Sequence, residues 1–252
     1  MRFLGLLCAL FFCLFSATPS IARASEILVV GAEFANVFER SATGNFSGLG
    51  VSIIQELAKQ NGDTVKFEIY PWSRAQWMVE NGQAHILIGP YKTPERELRF
   101  SFAKRAFYRD LMTFYTRASS NFTWNGNLTG LLEAKIGTIH GWAYGPEFEN
   151  MRPKLKLELA NSLTNGLNML IANRVDYLAS NVRNTDALAK TLGITKDIKV
   201  LNPEITVTDG YLAYCKSPIC DQLRERYDGT FEQIKNTGKL DFLAKFHQVT
   251  IP

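Results

Sequence analysis

The sequence predicts an α/β fold built from two similar units, and two observations support this prediction. In the first half of the chain, three short apolar or alternating runs that indicate strands are separated by segments with helical spacing. The resulting order, β-α-β-α-β with short connections, is typical of a parallel sheet covered by helices. A second series of strands and helices of the same kind follows after residue 117. We therefore expect two sheet-and-helix units in one chain.

The first unit is predicted from apolar spacing and from the residues that start and stop helices. A short apolar run ends at Gly31 and indicates a buried strand, and the Pro71-Trp72 pair opens a helix that Asn81-Gly82 closes. The predicted elements are strands at 27–30, 65–70 and 85–88, with helices at 52–60 and 72–80.

The second unit and the end of the chain follow the same pattern. A polar stretch at 118–130 precedes the unit, and its first strand ends at His140-Gly141. The predicted elements are strands at 135–139, 175–179, 198–201 and 210–214, and helices at 162–173, 185–192, 219–237 and 240–246.

The N-terminus has the pattern of a secretory signal peptide. Met1 and Arg2 precede an apolar stretch over 3–17, and the small-residue pattern Ala22-Arg23-Ala24 follows, so we expect cleavage after Ala24. The apolar run is shorter than the roughly 20 residues that a membrane-spanning helix needs. No later stretch is long and uncharged enough to span, so we expect an exported chain without stable membrane insertion.

Charge and length limit the partners and the number of domains. The chain has 28 basic and 24 acidic residues, and loss of Arg2 and Arg23 with the signal peptide leaves a net charge of +2. A nearly balanced charge without basic runs argues against a nucleic-acid partner. The remaining residues, about 228, fit one large domain or two small ones.

Cysteines predict one local disulfide. Cys8 and Cys13 lie in the apolar stretch that is expected to be removed, whereas Cys215 and Cys220 flank a Ser-Pro turn. In an oxidising compartment this pair is expected to form a structural disulfide. The alternative, a metal or redox pair, lacks a neighbouring histidine and the two-residue thioredoxin spacing.

Several phrases, taken in order, resemble the family 3 (polar amino acid type) solute-binding proteins of bacterial ABC importers along essentially the whole exported chain. Each phrase is weak evidence alone, and together they are specific. They are GNFSGLGV at 44–51, PWSRA at 71–75, NGQAH at 81–85, TPERE at 93–97, FSF at 100–102, IGTIHG at 136–141, NRVDY at 173–177 and NTGKL at 236–240.

The resemblance implies a two-lobe clamshell, the type II periplasmic-binding-protein fold, with a hinge between the lobes. It places the signal peptide at 1–24, lobe 1 at 25–116 plus 209–252, and lobe 2 at 117–208. The implied function is periplasmic capture of a small polar solute in the interlobe cleft, for delivery to an ABC permease. We expect a monomer without a cofactor.

In the first lobe, Arg96 matches the family arginine that binds a ligand carboxylate, because a guanidinium offers paired donors and keeps its charge. Trp72 and Phe34 match aromatic walls of the ligand site, although Phe34 could equally be an ordinary core residue. Gly89 and Tyr91, in the phrase Gly89-Pro90-Tyr91, are further expected ligand contacts, and Tyr91 would form a wall with a hydroxyl to donate.

In the second lobe, the loop with Trp142 and Tyr144 stands where amino acid binders carry small residues, so a more aromatic site is expected. Asn181 stands where those binders place an aspartate for the ligand ammonium. An amide does not neutralise a buried ammonium, which favours a carboxylate or another polar solute with an apolar or aromatic body over an α-amino acid.

Two other functions remain open on this fold. A cyclohexadienyl dehydratase would need an acidic group in the cleft, for which Glu33 and Glu147 are the candidates, but no catalytic motif surrounds either residue, so we expect no enzyme. A sensory module would present its closed form to a receptor instead of a permease. His85, His140 and His247 are isolated in sequence, and no metal site is expected.

Overall fold

The computed structural model describes residues 26–252, which alternate between strands and helices throughout. The cleavage site predicted after Ala24 lies outside these residues. The helices are α1 (Leu49–Asn61), α2 (Trp72–Glu80), α3 (Pro94–Arg99), α4 (Pro146–Met151), α5 (Leu163–Ile171), α6 (Val182–Leu192), α7 (Pro218–Asn236) and α8 (Lys239–Phe246).

The strands are β1 (Glu26–Gly31), β2 (Glu39–Arg40), β3 (Phe46–Ser47), β4 (Thr64–Ile69), β5 (Ile86–Tyr91), β6 (Ser101–Phe102), β7 (Tyr108–Arg117), β8 (Lys135–Ile139), β9 (Lys156–Ala160), β10 (Tyr177–Asn181), β11 (Ile198–Val200) and β12 (Thr206–Tyr214). Each predicted strand and helix has a counterpart among these elements. The sequence did not predict β2, β3, β6, β7, β9, α3 or α4.

The main sheet has the order β4-β1-β5-β12-β7-β10-β8-β9 and divides into two parallel groups. In the first group β1 pairs parallel with β4 and β5, and in the second group β8 pairs parallel with β9 and β10. Between them lie β7 and β12, which pair antiparallel from Met112 with Thr206 to Tyr108 with Gly210. These two strands carry the chain between the groups, as expected of a hinge.

Close packing at the hinge requires a glycine in β12. Gly210 lies opposite Tyr108, and a Cβ atom on Gly210 would lie 1.8 Å from a carbon of the Tyr108 ring. The ring could not stay in place beside any other residue. The neighbouring β-bulge between Gly210 and Leu212 shifts the register where β12 passes from β7 to β5.

Apolar faces of the helices cover both parallel groups of the main sheet. In α1, Ile53, Ile54 and Leu57 are at most 1% exposed, which matches the predicted helical spacing, and burying each contributes about 1.5–3 kcal/mol. The helix ends at Gly62 in the left-handed conformation, whose amide bonds to the Ala58 carbonyl. In the second lobe, α5 and the sheet share a separate apolar cluster.

Candidate functional site

Seven of the eight predicted site residues meet in one small cavity between the lobes. The cavity is lined by Phe34, Trp72, Gly89, Tyr91, Arg96, Trp142, Ala143 and Asn181. The lining belongs to loops and helix starts at the carboxyl ends of the parallel strands, where open α/β sheets present their sites. The cavity volume is only about 10 Å³, room for about one water molecule. The roles of these residues in binding a ligand stay predictions.

Arg96 is buried and contacts both lobes. The Thr93 hydroxyl caps α3 by accepting the Arg96 amide, which positions the side chain one turn into the helix. One terminal nitrogen of its guanidinium donates to the Tyr91 carbonyl and the other to the Gly141 carbonyl, both at 2.8 Å. Burial lowers the pKa of Arg96 below its usual value. Two backbone carbonyls of the protein therefore occupy the donors that the sequence assigned to a ligand carboxylate.

The Gly141 carbonyl is the acceptor that connects the lobes. It accepts from the Trp72 indole Nε1 at 2.9 Å as well as from Arg96. Gly141 has a φ of 74°, and a Cβ atom there would lie 3.2 Å from both Trp72 and Gln76. A glycine therefore permits both the left-handed turn and the close approach of the first lobe.

Aromatic rings surround the guanidinium. The Phe34 ring meets the Trp72 ring edge to face at 5.4 Å, and the Arg96 guanidinium lies 5.7 Å from the centre of the Trp72 ring. Phe34 is 7% exposed and Trp72 is 9% exposed. Cation–π attraction and offset ring contacts both favour this arrangement.

The Asn181 side chain is used by the protein itself. Its Oδ1 caps α6 by accepting the Asn184 amide at 2.9 Å, and its Nδ2 donates to the Tyr91 hydroxyl at 3.2 Å. The residue is 1% exposed. An amide serves both as a helix cap and as a donor to Tyr91, which explains an asparagine at this position without reference to a ligand.

A buried ion pair lies beside this cavity. Asp110 of β7 accepts from Arg183 through both oxygens, at 2.9 and 2.8 Å, and from the Tyr91 hydroxyl at 2.7 Å. Burial acts to lower the pKa of Arg183, but the Asp110 carboxylate outweighs it and holds that pKa above its usual value. Arg183 also donates to the Ala35 carbonyl, and Asn184 accepts the Ala35 amide at 2.8 Å, so both polar groups of Ala35 are held by the start of α6.

Tyr144, the eighth predicted residue, lies away from the cavity. It is fully buried, its hydroxyl accepts the Ile139 amide at 2.6 Å, and its ring packs 4.9 Å from Phe148. The unpredicted helix α4, which begins at Pro146, brings Phe148 beneath Tyr144. The structure therefore places this aromatic side chain in the core of the second lobe.

A second, larger cavity opens between the lobes and has a volume of about 800 Å³. This volume lies within the range of about 300–1,000 Å³ that is usual for small-molecule sites. Phe34, Trp72 and Trp142 line both cavities. The lining residues that the sequence did not predict as ligand contacts include Glu39, Tyr70, Asn161, Ser162, Thr164 and Leu188. Among the lining residues at 161–164, the sequence signal was the predicted start of a helix near residue 162.

Cys215 and Cys220 form the predicted disulfide, and both cysteines are buried. Among residues 26–252, no group of three or more His, Cys, Asp or Glu side chains could hold a metal ion. Within the same range, no helix is both long and apolar enough to cross a membrane.

Comparisons with known proteins agree on one family. The sequence pattern of the "Bacterial extracellular solute-binding proteins, family 3" matches residues 28–247. A search of curated proteins finds no match. This family assignment confirms the resemblance that the sequence phrases indicated.

Solved structures share the fold at low identity. A histidine kinase sensor domain with similarity to periplasmic binding proteins has a TM-score of 0.79 at 18% identity, covering 91% of this chain and 99% of its own. An ancestral arginine-binding protein bound to arginine has a TM-score of 0.74 at 17% identity, covering 87% and 96%. An ABC uptake transporter substrate-binding protein from Streptococcus pneumoniae with bound histidine has a TM-score of 0.74 at 16% identity, and the match covers 87% of this chain and 91% of its own. These likenesses confirm the predicted clamshell fold class.

Proposed function

Because the chain belongs to the bacterial extracellular solute-binding proteins, family 3, we propose that it captures a small polar solute between its lobes and delivers it to an ABC importer. The observation that carries this proposal is the cavity of about 800 Å³ whose walls come from both lobes. A solute in that space contacts both walls at once, so its binding favours the closed arrangement over an open one.

Hydrogen bonds join the lobes beside the two cavities, which suits repeated opening. They include the two bonds to the Gly141 carbonyl and the bonds that hold Ala35 to the start of α6. Each can exchange for water when the lobes part, because a hydrogen bond has a net worth of about 0.5–1.5 kcal/mol between neutral groups and about 1.5–3 kcal/mol when one group is charged. The proposed hinge is the pair β7 and β12, and the lobe boundaries at 116–117 and 208–209 follow from it as a proposal.

A carboxylate ligand could bind Arg96 only if the second lobe moved away from the guanidinium. The Gly141 carbonyl and the Trp72 ring occupy the space beside the guanidinium, and the cavity there measures about 10 Å³. A carboxylate would therefore have to replace the Gly141 carbonyl as acceptor while the second lobe moved back. The larger cavity requires no such exchange, and we propose it as the place where the solute is held.

A blocked cavity tests this proposal. Ala187 on α6 lines the larger cavity and is exposed, so Ala187→Trp should fill part of the space while leaving the fold intact. Lys190→Trp, one turn further along the same helix and also exposed, does not alter the lining and serves as the control.

A thermal-shift screen of small polar solutes first identifies a ligand, because a compound that binds only the folded state raises the Tm. Titration calorimetry then compares the variants. We expect Ala187→Trp to weaken binding at least tenfold and Lys190→Trp to leave it unchanged. Equal affinity in the two variants would place the ligand elsewhere and refute the proposed site.

We propose the periplasm as the location, on the basis of the N-terminal pattern and the family. Mass spectrometry of the protein recovered from the periplasmic fraction of an expression host should give a chain that begins at Ser25. Recovery of the full-length chain from the cytoplasm would contradict this. A monomer in size-exclusion chromatography and copurification with an ABC permease are the corresponding expectations for the partners.

The dehydratase alternative has one supporting observation, since Glu33 lines the larger cavity. Glu147 is exposed at the start of α4 and lines neither interlobe cavity. We expect no turnover of prephenate by the purified protein. Turnover that is lost in Glu33→Gln would instead establish the enzyme.

A further inference from the structure

We infer that the solute held in the larger cavity is a cation with an apolar body, whose positive group is recognised by Glu33 and Glu39. This inference rests on the proposed function, because it concerns the same cavity, and it adds the chemical class of the ligand. It differs from the sequence expectation of a carboxylate bound by Arg96.

The charged side chains that line the cavity are acidic. Glu33 and Glu39 contribute carboxylates from the first lobe, the imidazole of His140 is the basic side chain in the lining, and no lysine or arginine belongs to it. Neither carboxylate has an ion-pair partner within residues 26–252. A concave surface with charge of one sign attracts ligands of the opposite charge. The first-lobe wall is therefore a site for a positive group.

His247 interacts with Glu39 but does not neutralise its charge. Burial lowers the pKa of His247 below its usual value, and the Glu39 charge opposes this only in part. The His247 Nε2 also shares a hydrogen bond of 2.8 Å with the Ser52 hydroxyl. The lowered pKa keeps the imidazole mostly uncharged at neutral pH, so His247 does not supply a permanent counter-ion for Glu39.

The two arginines deepest between the lobes are directed away from this cavity. Arg96 donates to two backbone carbonyls and lines only the smaller cavity. Arg183 is neutralised by Asp110 in a bidentate pair. Trp72, which lines both cavities, stands between the Arg96 charge and the larger space. A ligand carboxylate in the larger cavity would thus meet Glu33 and Glu39 without a lysine or arginine to pair with.

Aromatic walls complete the site for a cation with an apolar body. Phe34, Tyr70, Trp72 and Trp142 line the cavity. Aromatic rings bury the apolar surface of a ligand and attract a cation placed over their faces. On the second-lobe wall, Asn161 and Thr164 supply neutral hydrogen-bonding groups. These groups suit an amine or guanidinium whose remaining polar atoms are uncharged.

Matched solutes test the inference by changing the charge on a constant body. Phenethylamine, phenylalanine and 3-phenylpropionate form an aromatic set, and cadaverine, lysine and pimelate form an aliphatic set. In titration calorimetry at neutral pH, we expect the amine of at least one set to bind, and its acid to bind at least tenfold more weakly. The zwitterion should bind no more than a few-fold more tightly than the amine, because the carboxylate has no partner in the cavity.

Variants assign the effect to the two carboxylates. Glu33→Gln and Glu39→Gln should each weaken amine binding about three- to fivefold, since a single solvent-accessible charge pair is worth up to about 1 kcal/mol. The double variant should lose tenfold or more. Glu204→Gln, an exposed glutamate outside the lining, makes the same change in net charge and should have no effect.

The outcomes separate this inference from the proposed function. Tighter binding of the acids than of the amines, or amine binding that is indifferent to both Glu variants, would overturn the inference and leave solute capture intact. If an unrelated neutral or anionic solute bound and Ala187→Trp blocked its binding, the inference would also be overturned, and solute capture in this cavity would be supported. Failure of every solute to bind would overturn both proposals.

Discussion

Removing the buried Asp110 carboxylate should destabilise the protein far more than removing the more exposed carboxylate of Asp209. The side chain of Asp110 is 2% exposed and that of Arg183 is 12% exposed, and Asp110 also accepts from Tyr91. Asp110→Asn leaves the Arg183 charge buried without a counter-ion, which costs about 3–5 kcal/mol of unfolding free energy. Urea denaturation followed by circular dichroism measures this loss.

The chain offers a matched control in the ion pair between Arg109 of β7 and Asp209 of β12. Arg109 and Asp209 also form a bidentate pair, at 2.6 and 3.0 Å, but their side chains are 40% and 27% exposed. Asp209→Asn should therefore cost at most about 1 kcal/mol. The double variant Asp110→Leu/Arg183→Met should recover most of the loss, because it removes both buried charges. Equal losses in Asp110→Asn and Asp209→Asn would refute the reasoning.

Three further predictions concern stability. Burial lowers the pKa of His85, so the stability that depends on this side chain should be fully present above the unfolded-state pKa of about 6.5 and should fall as the pH drops below it. In urea titrations, His85→Gln should therefore lose less unfolding free energy between pH 8 and pH 5 than the unchanged protein loses. Replacing both Cys215 and Cys220 by serine should cost about 2 kcal/mol in the same assay, because the disulfide closes only a short loop. Trp72→Phe keeps an aromatic ring but loses the hydrogen bond to the Gly141 carbonyl, so it should lower the unfolding free energy by about 1 kcal/mol. An unchanged unfolding free energy would show that this contact is not made in solution.

Local sequence signals located much of the candidate site. Pro71 directly precedes Trp72 at the start of the predicted helix α2, and the strands before Trp72 and Arg96 are the alternating and apolar runs that the sequence predicted. The family resemblance assigned Trp72 and Arg96 to the cleft, and both residues follow the carboxyl ends of these parallel strands, where open α/β sheets present their sites. The structure brings them together in one cavity.

The partners of these residues could not be predicted from spacing. The bond from Arg96 to the Gly141 carbonyl joins segments 45 residues apart and depends on a left-handed turn that the sequence only permits. Glu39 reaches the larger cavity from a two-residue strand that pairs with β3, too short to show periodicity. Tyr144 was expected in the cleft because its loop lies there, but packing against Phe148 buries it.

Long-range pairing also explains the missed strands. β7 buries residues on both faces for most of its length, so it lacks the alternation that marks a half-buried strand. Its polar residues Thr113 and Thr116 are buried because they bond to the Leu201 and Asp176 carbonyls. These partners come from distant parts of the chain, and the strand becomes recognisable only once they are in place.

The most direct test of solute capture is the crystal structure of the protein with the tightest-binding compound from the thermal-shift screen. The account predicts ligand density in the larger cavity, in contact with Trp72 of the first lobe and with the start of α5 in the second. It also predicts that Arg96 keeps its bond to the Gly141 carbonyl. A ligand bound outside the cleft, or lobes that do not both contact it, would contradict the account.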